Sequence, residues 1–178
     1  MDKLVIRPVW RAEYPQVVEL IRRVMLEVNI RDYEEAYLLD YVKRYGPAQL
    51  AAFADSPDCH FYVGLWEGKL AACGAVAPSE GRPGALEIRS VYVRPDLEGK
   101  GIGREMMAVL EVDPAFQRAA RVVVSASLTA HTFYQKLGYT YENGVKREED
   151  HDHYWMEKFP GKGAGAEPPS PLDAAGKR

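Results

Sequence analysis

The sequence predicts a single α/β domain in which helices flank a sheet. Three observations lead there. The hydrophobic period is helical over the first third of the chain and strand-like in the middle. A β-prone run then passes through closely spaced glycines straight into a helical pattern and on to a second apolar run, the order of a strand–helix–strand crossover. Finally, 178 residues, 47% hydrophobic and 28% charged, suffice to bury one core without disulfides.

Leu4–Arg7 reads as a short strand closed by Pro8. Val17, Val18, Leu20, Ile21, Val24, Met25 and Val28 recur at helical spacing. Tyr33–Tyr45 is a second predicted helix with Tyr33, Tyr37, Tyr41 and Tyr45 on one face, either core or a wall for a ligand; Gly46-Pro47 stops it. Leu50–Phe53 reads as a short further helical turn. His60–Trp66 and Leu70–Val76 form a hairpin about Glu67-Gly68-Lys69, and 77–84 is a loop rich in Pro and Gly. Leu86–Val93 is a strand ended by Arg94-Pro95, and Ile102–Glu111 is a helix that Pro114 interrupts. Val122-Val123-Val124 has the continuous apolar character of a strand buried on both faces. Ala130–Leu137 is a helix closed by Gly138, and Tyr139–Glu142 and Tyr154–Lys158 are closing strands. Residues 160–178, with four Pro, four Gly and Leu172 as their only large apolar side chain, read as a flexible tail after a domain of residues 1–159.

Charge and composition narrow the function. A net charge of −3 disfavours nucleic-acid binding through overall basicity. Cys59 and Cys73 lie in no CxxC pair and near no histidine at zinc spacing, so no metal site is expected, and a reducing, cytoplasmic setting is the simplest. No window approaches the roughly 18 apolar residues of a membrane span, and the N-terminus lacks a signal-peptide core.

The stretch 91–104, Val-Tyr-Val-Arg-Pro-Asp-Leu-Glu-Gly-Lys-Gly-Ile-Gly-Arg, carries most of the chemistry. Glycines 99, 101 and 103 let several N–H groups surround one point, and the helix start adds unpaired donors and a positive dipole end. The product is a nest for phosphate oxygens, with Lys100 and Arg104 adding cationic reach. A plain strand-to-helix turn explains the glycines equally well. Neither the GxxxxGK[ST] nor the GxGxxG pattern is matched. In the preceding strand Leu86 and Ile88 are apolar, but so are Val91 and Val93. The phase slips by one near Arg89-Ser90, which predicts a β-bulge with an N–H free to bind a carbonyl oxygen, unless the strand is simply covered on both faces.

These residues resemble those of the GNAT superfamily, the acetyl-CoA-dependent N-acetyltransferases. Glu98-Gly99-Lys100-Gly101-Ile102-Gly103 is similar to that family's [QR]-x-x-G-x-[GA] loop. Ala130-His131-Thr132-Phe133-Tyr134-Gln135-Lys136-Leu137-Gly138-Tyr139 is similar to its A-x-x-F-Y-x-x-x-G-[FY] helix. The resemblance runs from Leu4 to Lys158 and implies a mixed, mostly antiparallel sheet whose two central parallel strands splay around CoA. It implies that backbone groups of Val91, Tyr92 and Val93 pair with the pantetheine arm. It also implies that amides of Gly99, Lys100, Gly101, Ile102, Gly103 and Arg104 hold the pyrophosphate, and that the N–H near Val91 polarises the acetyl carbonyl. Tyr134 is then the donor to the leaving thiolate. Two positions depart from the pattern. Glu98 stands where Gln or Arg is usual, and Ser127 stands where Asn often precedes the helix, its hydroxyl facing the pantetheine or capping the helix.

Glu87 is the first candidate for the base, directly or through water, against a plain solvated carboxylate; Arg89 either keeps it ionised or is its surface partner. His131 and the pair His151/His153 read as surface histidines first. The acidic residues Glu142, Glu148, Glu149, Asp150 and Asp152 read as a solvated loop that can also attract a cationic amine. The expected function is acetyl transfer to a primary amine, small molecule or peptide, by direct attack in a ternary complex. A CoA-binding module without turnover and transfer of a longer acyl group are the alternatives. A homodimer is compatible with the sequence but not specified by it.

Overall fold

The computed structural model describes residues 3–149 and 153–161. The predicted tail from residue 162 on, together with Asp150, His151 and Asp152, lies outside the described residues. The strands are β1 (Leu4–Pro8), β2 (His60–Trp66), β3 (Lys69–Pro78), β4 (Leu86–Val93), β5 (Val122–Ser127), β6 (Thr140–Tyr141), β7 (Glu148–Glu149) and β8 (His153–Lys158). The helices are α1 (Tyr14–Glu27), α2 (Glu35–Arg44), α3 (Pro47–Ala54), α4 (Ile102–Val112), α5 (Pro114–Arg118) and α6 (His131–Lys136). One sheet runs β1-β2-β3-β4-β5-β8-β6, with β7 also on β8. Its pairs are antiparallel except β4 with β5. This is the mixed, mostly antiparallel α/β architecture that the sequence predicts.

Each face of the sheet has its own core. On one side α1 buries Val17, Val18, Leu20, Ile21, Val24 and Met25, and with Leu38 of α2 and Leu50 of α3 covers Phe61, Val63, Cys73, Ala75 and Ala77. On the other, Ile102, Met106, Met107 and Leu110 of α4 cover Ala72, Val76, Ile88, Val122 and Val124. Each such large side chain taken fully out of water stabilises by about 1.5–3 kcal/mol. Gly74 of β3 makes the second contact possible. A Cβ there would stand 3.0 Å from Leu110 Cδ1 and 3.1 Å from Met106 Cγ, so a side chain would crowd both and force them to shift.

The differences from expectation lie at the periphery. The short turn at Leu50–Phe53 belongs to a full helix, α3, because Pro47 starts it without wasting a donor. The last strand pair is unequal: β6 keeps two residues before a tight turn in which Asn143 and Gly144 adopt positive φ. The unforeseen β7 is a two-residue edge formed from the acidic stretch.

That acidic stretch is not simply solvated. Arg82, in the loop between β3 and β4, forks onto Glu142 at 2.7 and 2.8 Å, reaches Glu149 at 2.8 Å and lies 4.4 Å from the Trp155 ring. Arg121 joins Glu142 at 2.6 Å and Glu157 at 2.8 Å. Hydrogen bonding from Arg82, then Arg121, holds the Glu142 carboxyl below its ordinary value of 4.5. A depressed carboxylate contributes stability that is complete above its unfolded value and lost as pH falls through the folded one. The expected result is that Glu142→Gln costs about 1 kcal/mol near neutrality. Below pH 4.5 the variant and the wild type should converge, as read from melting curves at each pH.

Candidate active site

The parallel pairing of β4 with β5 lasts only from Leu86↔Val122 to Ile88↔Val124. Beyond it the strands part, and a cleft of about 690 Å³ opens between them. Strand β4 is redirected here by a bulge. Cys73 faces Tyr92 and Ala75 faces Arg89, so Ser90 and Val91 together oppose Gly74. Ser90 takes a positive φ of 54°, and the buried Cys73 thiol donates to its carbonyl at 3.2 Å. The slip of hydrophobic phase near Arg89-Ser90 has this cause. Before the bulge Leu86 and Ile88 point to the α4 core, and after it Val91 and Val93 do. Glu87 and Arg89, and then Tyr92, take the opposite face.

One end of the cleft is the start of α4. Gly101 is its N-cap with φ 80°, and Gly99 has φ 77°; these left-handed conformations favour glycine. A Cβ at either would meet nothing within 4 Å, so the space beside them is open. The amides of Gly99, Gly101, Ile102, Gly103 and Arg104 donate to no acceptor among the described residues. Glu98 and Arg104 line the cleft beside them. Lys100 is the residue whose placement corrects the sequence reading. Its amide donates to the Leu97 carbonyl and its ammonium lies 5.8 Å from the Trp66 ring, so its side chain turns away from the cleft.

Tyr134 and Phe133 of α6 line the middle of the cleft with Ser127. Tyr134 is 6% exposed, and burial pushes its phenol well above the ordinary value of 10. Its hydroxyl has no hydrogen-bond partner among the described residues. Ser127 does not cap α6 with its side chain; its carbonyl accepts from the Ala130 amide at 3.0 Å. Tyr92 lines the cleft, and its hydroxyl donates to Met25 Sδ at 3.7 Å. His131 is turned elsewhere, with Nδ1 2.8 Å from the Tyr141 hydroxyl.

The other end is polar on one wall and aromatic on the next. Glu87, only 9% exposed, and Arg89 line it from β4, facing Tyr33 and Tyr41. The Ser79 hydroxyl donates to Glu87 Oε2 at 2.7 Å and accepts from the Arg82 amide at 3.0 Å. The Arg82 clamp therefore continues through Ser79 to this carboxylate. Ser79 had no signal of its own in the sequence, because hairpin register alone brings it back beside Glu87. The aromatic face of the second predicted helix divides: Tyr33 and Tyr41 line the cleft, Tyr37 is half exposed, and Tyr45 stacks on Tyr41 at 5.5 Å. Among the described residues there is no cluster of His, Cys, Asp and Glu fit for a metal and no helix able to cross a membrane.

A sheet parted at its parallel pair, with an amide nest at one end of the opening and an ionisable pair at the other, defines a transferase fold. The chain belongs to the acetyltransferase (GNAT) family, whose profile matches residues 29–139. Solved structures agree on the fold. The chain is similar to the PaiA N-acetyltransferase from Thermoplasma acidophilum, solved in complex with coenzyme A, at 18% identity and a TM-score of 0.74 over 89% of this chain and 99% of that one. It is similar to a GCN5-related N-acetyltransferase from Rhodopseudomonas palustris at 18% identity and a TM-score of 0.71, covering 89% and 97%. A ribosomal-protein-alanine N-acetyltransferase from Brucella melitensis follows at 19% identity and a TM-score of 0.63, covering 87% and 99%. No curated protein matches the chain.

Proposed function

We infer that the protein transfers the acetyl group of acetyl-CoA to a primary amine by direct attack within a ternary complex. The observation that carries this reading is one continuous cleft running from the free amides of α4, past the β4 bulge, to Glu87. The nest fits a pyrophosphate: its donors are unused, no side chain fills it, and Arg104 stands beside it. The bound thioester supplies an activated acetyl group. This chain's residues do the rest. At the bulge the Val91 amide donates a hydrogen bond to the acetyl oxygen as negative charge develops there. Glu87 takes a proton from the incoming ammonium, which frees the nitrogen lone pair. A C–N bond forms and the C–S bond breaks. Tyr134 donates a proton to the departing sulfur and is restored by the second proton that the nitrogen sheds; the proton on Glu87 passes to solvent, so one proton is released per turnover. Neither cysteine lines the cleft, and burial pushes the Cys59 thiol up to about 11 and Cys73 to about 12, which leaves no thiolate for an acyl-enzyme.

Thiol release from acetyl-CoA in the presence of an amine panel tests the reading. Turnover with at least one amine supports it. CoA binding with no turnover for any amine or acyl-CoA overturns it in favour of a binding module. A preference for longer acyl-CoAs overturns the acetyl assignment alone.

The nest has its own test. Gly101→Val places a branched side chain in open space at a left-handed position, a strain of roughly 1–2 kcal/mol that the fold can carry. The expected outcome is a folded protein whose CoA affinity, by calorimetry, falls at least about tenfold, the equivalent of one lost charged hydrogen bond. Wild-type affinity in a folded variant removes the phosphate role.

A further inference from the structure

Arg89 is a charged cleft residue that the transfer itself does not use. It shares a face of β4 with Glu87, and both line the acceptor end. Its guanidinium is held 4.5 Å from the Phe53 ring, yet its charge is not spent on a close partner. Its nearest carboxylates, Glu87 at 3.9 Å and Glu80 at 4.0 Å, lie beyond hydrogen-bond distance. Arg82 and Arg121, by contrast, hold theirs at 2.6–2.8 Å. Glu87 has its hydrogen bond from Ser79 instead. Near the acceptor end the other walls add no charge: Tyr41 is kept neutral because burial raises its phenol, and Glu98 and Arg104 stand at the pyrophosphate end. The acceptor end therefore offers one carboxylate and one under-used cation side by side.

Resting on the acetyl-transfer reading above, we propose that the acceptor is an amine bearing a carboxylate next to it, as in an α-amino acid, and that Arg89 selects it by binding that carboxylate. In such a molecule three covalent bonds separate the amine nitrogen from a carboxylate oxygen. A separation of that size lets the nitrogen sit on Glu87 while the carboxylate meets the guanidinium, which is shaped to take both oxygens. A polyamine places a second cation against Arg89 and is disfavoured.

The test compares alanine, leucine and phenylalanine, each with its primary amide and its decarboxylated amine, plus spermidine, by thiol release from acetyl-CoA. The rates are compared near pH 8, where spermidine keeps its second cation, and each kcat/KM is corrected for the neutral fraction of its amine. The expected result is a kcat/KM for at least one free amino acid about 10- to 100-fold above its amide and amine, the value of a charged hydrogen-bonded contact. Arg89→Gln should bring that ratio close to one, and Arg89→Lys should restore part of it. Equal rates for acid, amide and amine, or a preference for spermidine, overturn the proposal while leaving acetyl transfer intact. If no amine is acetylated, the transfer reading fails. Calorimetric binding of the same amino acids and amides to the protein–CoA complex then decides the carboxylate site by itself, equal or absent binding counting against it.

Discussion

Tyr134→Phe is expected to lower kcat by about 10²–10⁴ while leaving the fold and CoA affinity unchanged. The hydroxyl makes no hydrogen bond to the described protein, so its loss leaves no buried group unpaired. Its ring keeps the edge contacts with Phe133 at 5.1 Å and Tyr139 at 5.8 Å that phenylalanine also makes. The direction of the pKa shift shapes the pH dependence. Burial raises the phenol, so it stays protonated across any working pH and produces no alkaline limb of its own. Its ordinary value already lies above the roughly 8.5 of an alkyl thiol. Its contribution is therefore a hydrogen bond that strengthens as charge reaches the sulfur, with the proton following as the pair separates. The loss should be the same at pH 6 and at pH 9. A variant retaining more than a third of wild-type kcat, with chemistry shown to limit, assigns the proton to water or another group.

Glu87→Gln should behave differently. The substitution keeps size and an oxygen for Ser79 to donate to, but removes the proton acceptor. Near pH 7 an alkylamine with a pKa of about 10.4 is almost wholly ammonium, and each turnover needs a proton taken from it. A loss of about 10²–10³ in kcat/KM is expected there. Above the amine's pKa the nucleophile is already neutral, and the gap should narrow to within about tenfold. A pH profile of both proteins reads this directly. A constant gap from pH 7 to pH 10.5 makes Glu87 an electrostatic or positioning group instead. Ser79→Ala bears on the same carboxylate from behind and separates orientation from proton transfer.

Much of this site could be read along the chain because its signals are local. The glycines at 99, 101 and 103 and the helix pattern beginning at Ile102 define the nest within a few residues. The bulge was visible because side-chain direction alternates with a period of two, so one inserted residue shifts the whole later pattern of Val91 and Val93. The α6 pattern placed Tyr134 on a helix closed by Gly138, whose φ is 87°.

Other features depend on chain segments far apart in sequence. Whether Lys100 or Arg104 faces the cleft turns on where Trp66 of β2 lies. The acidic stretch looked solvated, yet Glu142 and Glu149 meet Arg82 some 60 and 67 residues earlier, and so brace the loop that carries Ser79 to Glu87. Tyr33 and Tyr41 were ambiguous between core and wall because a helical stripe reads the same either way; in the folded chain both line the cleft while packing against the core under α1.

The sequence by itself determined the fold class, the glycine turn into α4, the slip of phase that marks the bulge and the helix that carries Tyr134, since each follows from residue periodicity or backbone freedom over short spans. Tertiary structure alone decided which charges are neutralised and which stay available: Glu142 is satisfied, Lys100 is turned away, and Arg89 is left beside Glu87. Electrostatic partnership depends on distance in space, and a chain that folds back on itself brings together charges that no local pattern can pair.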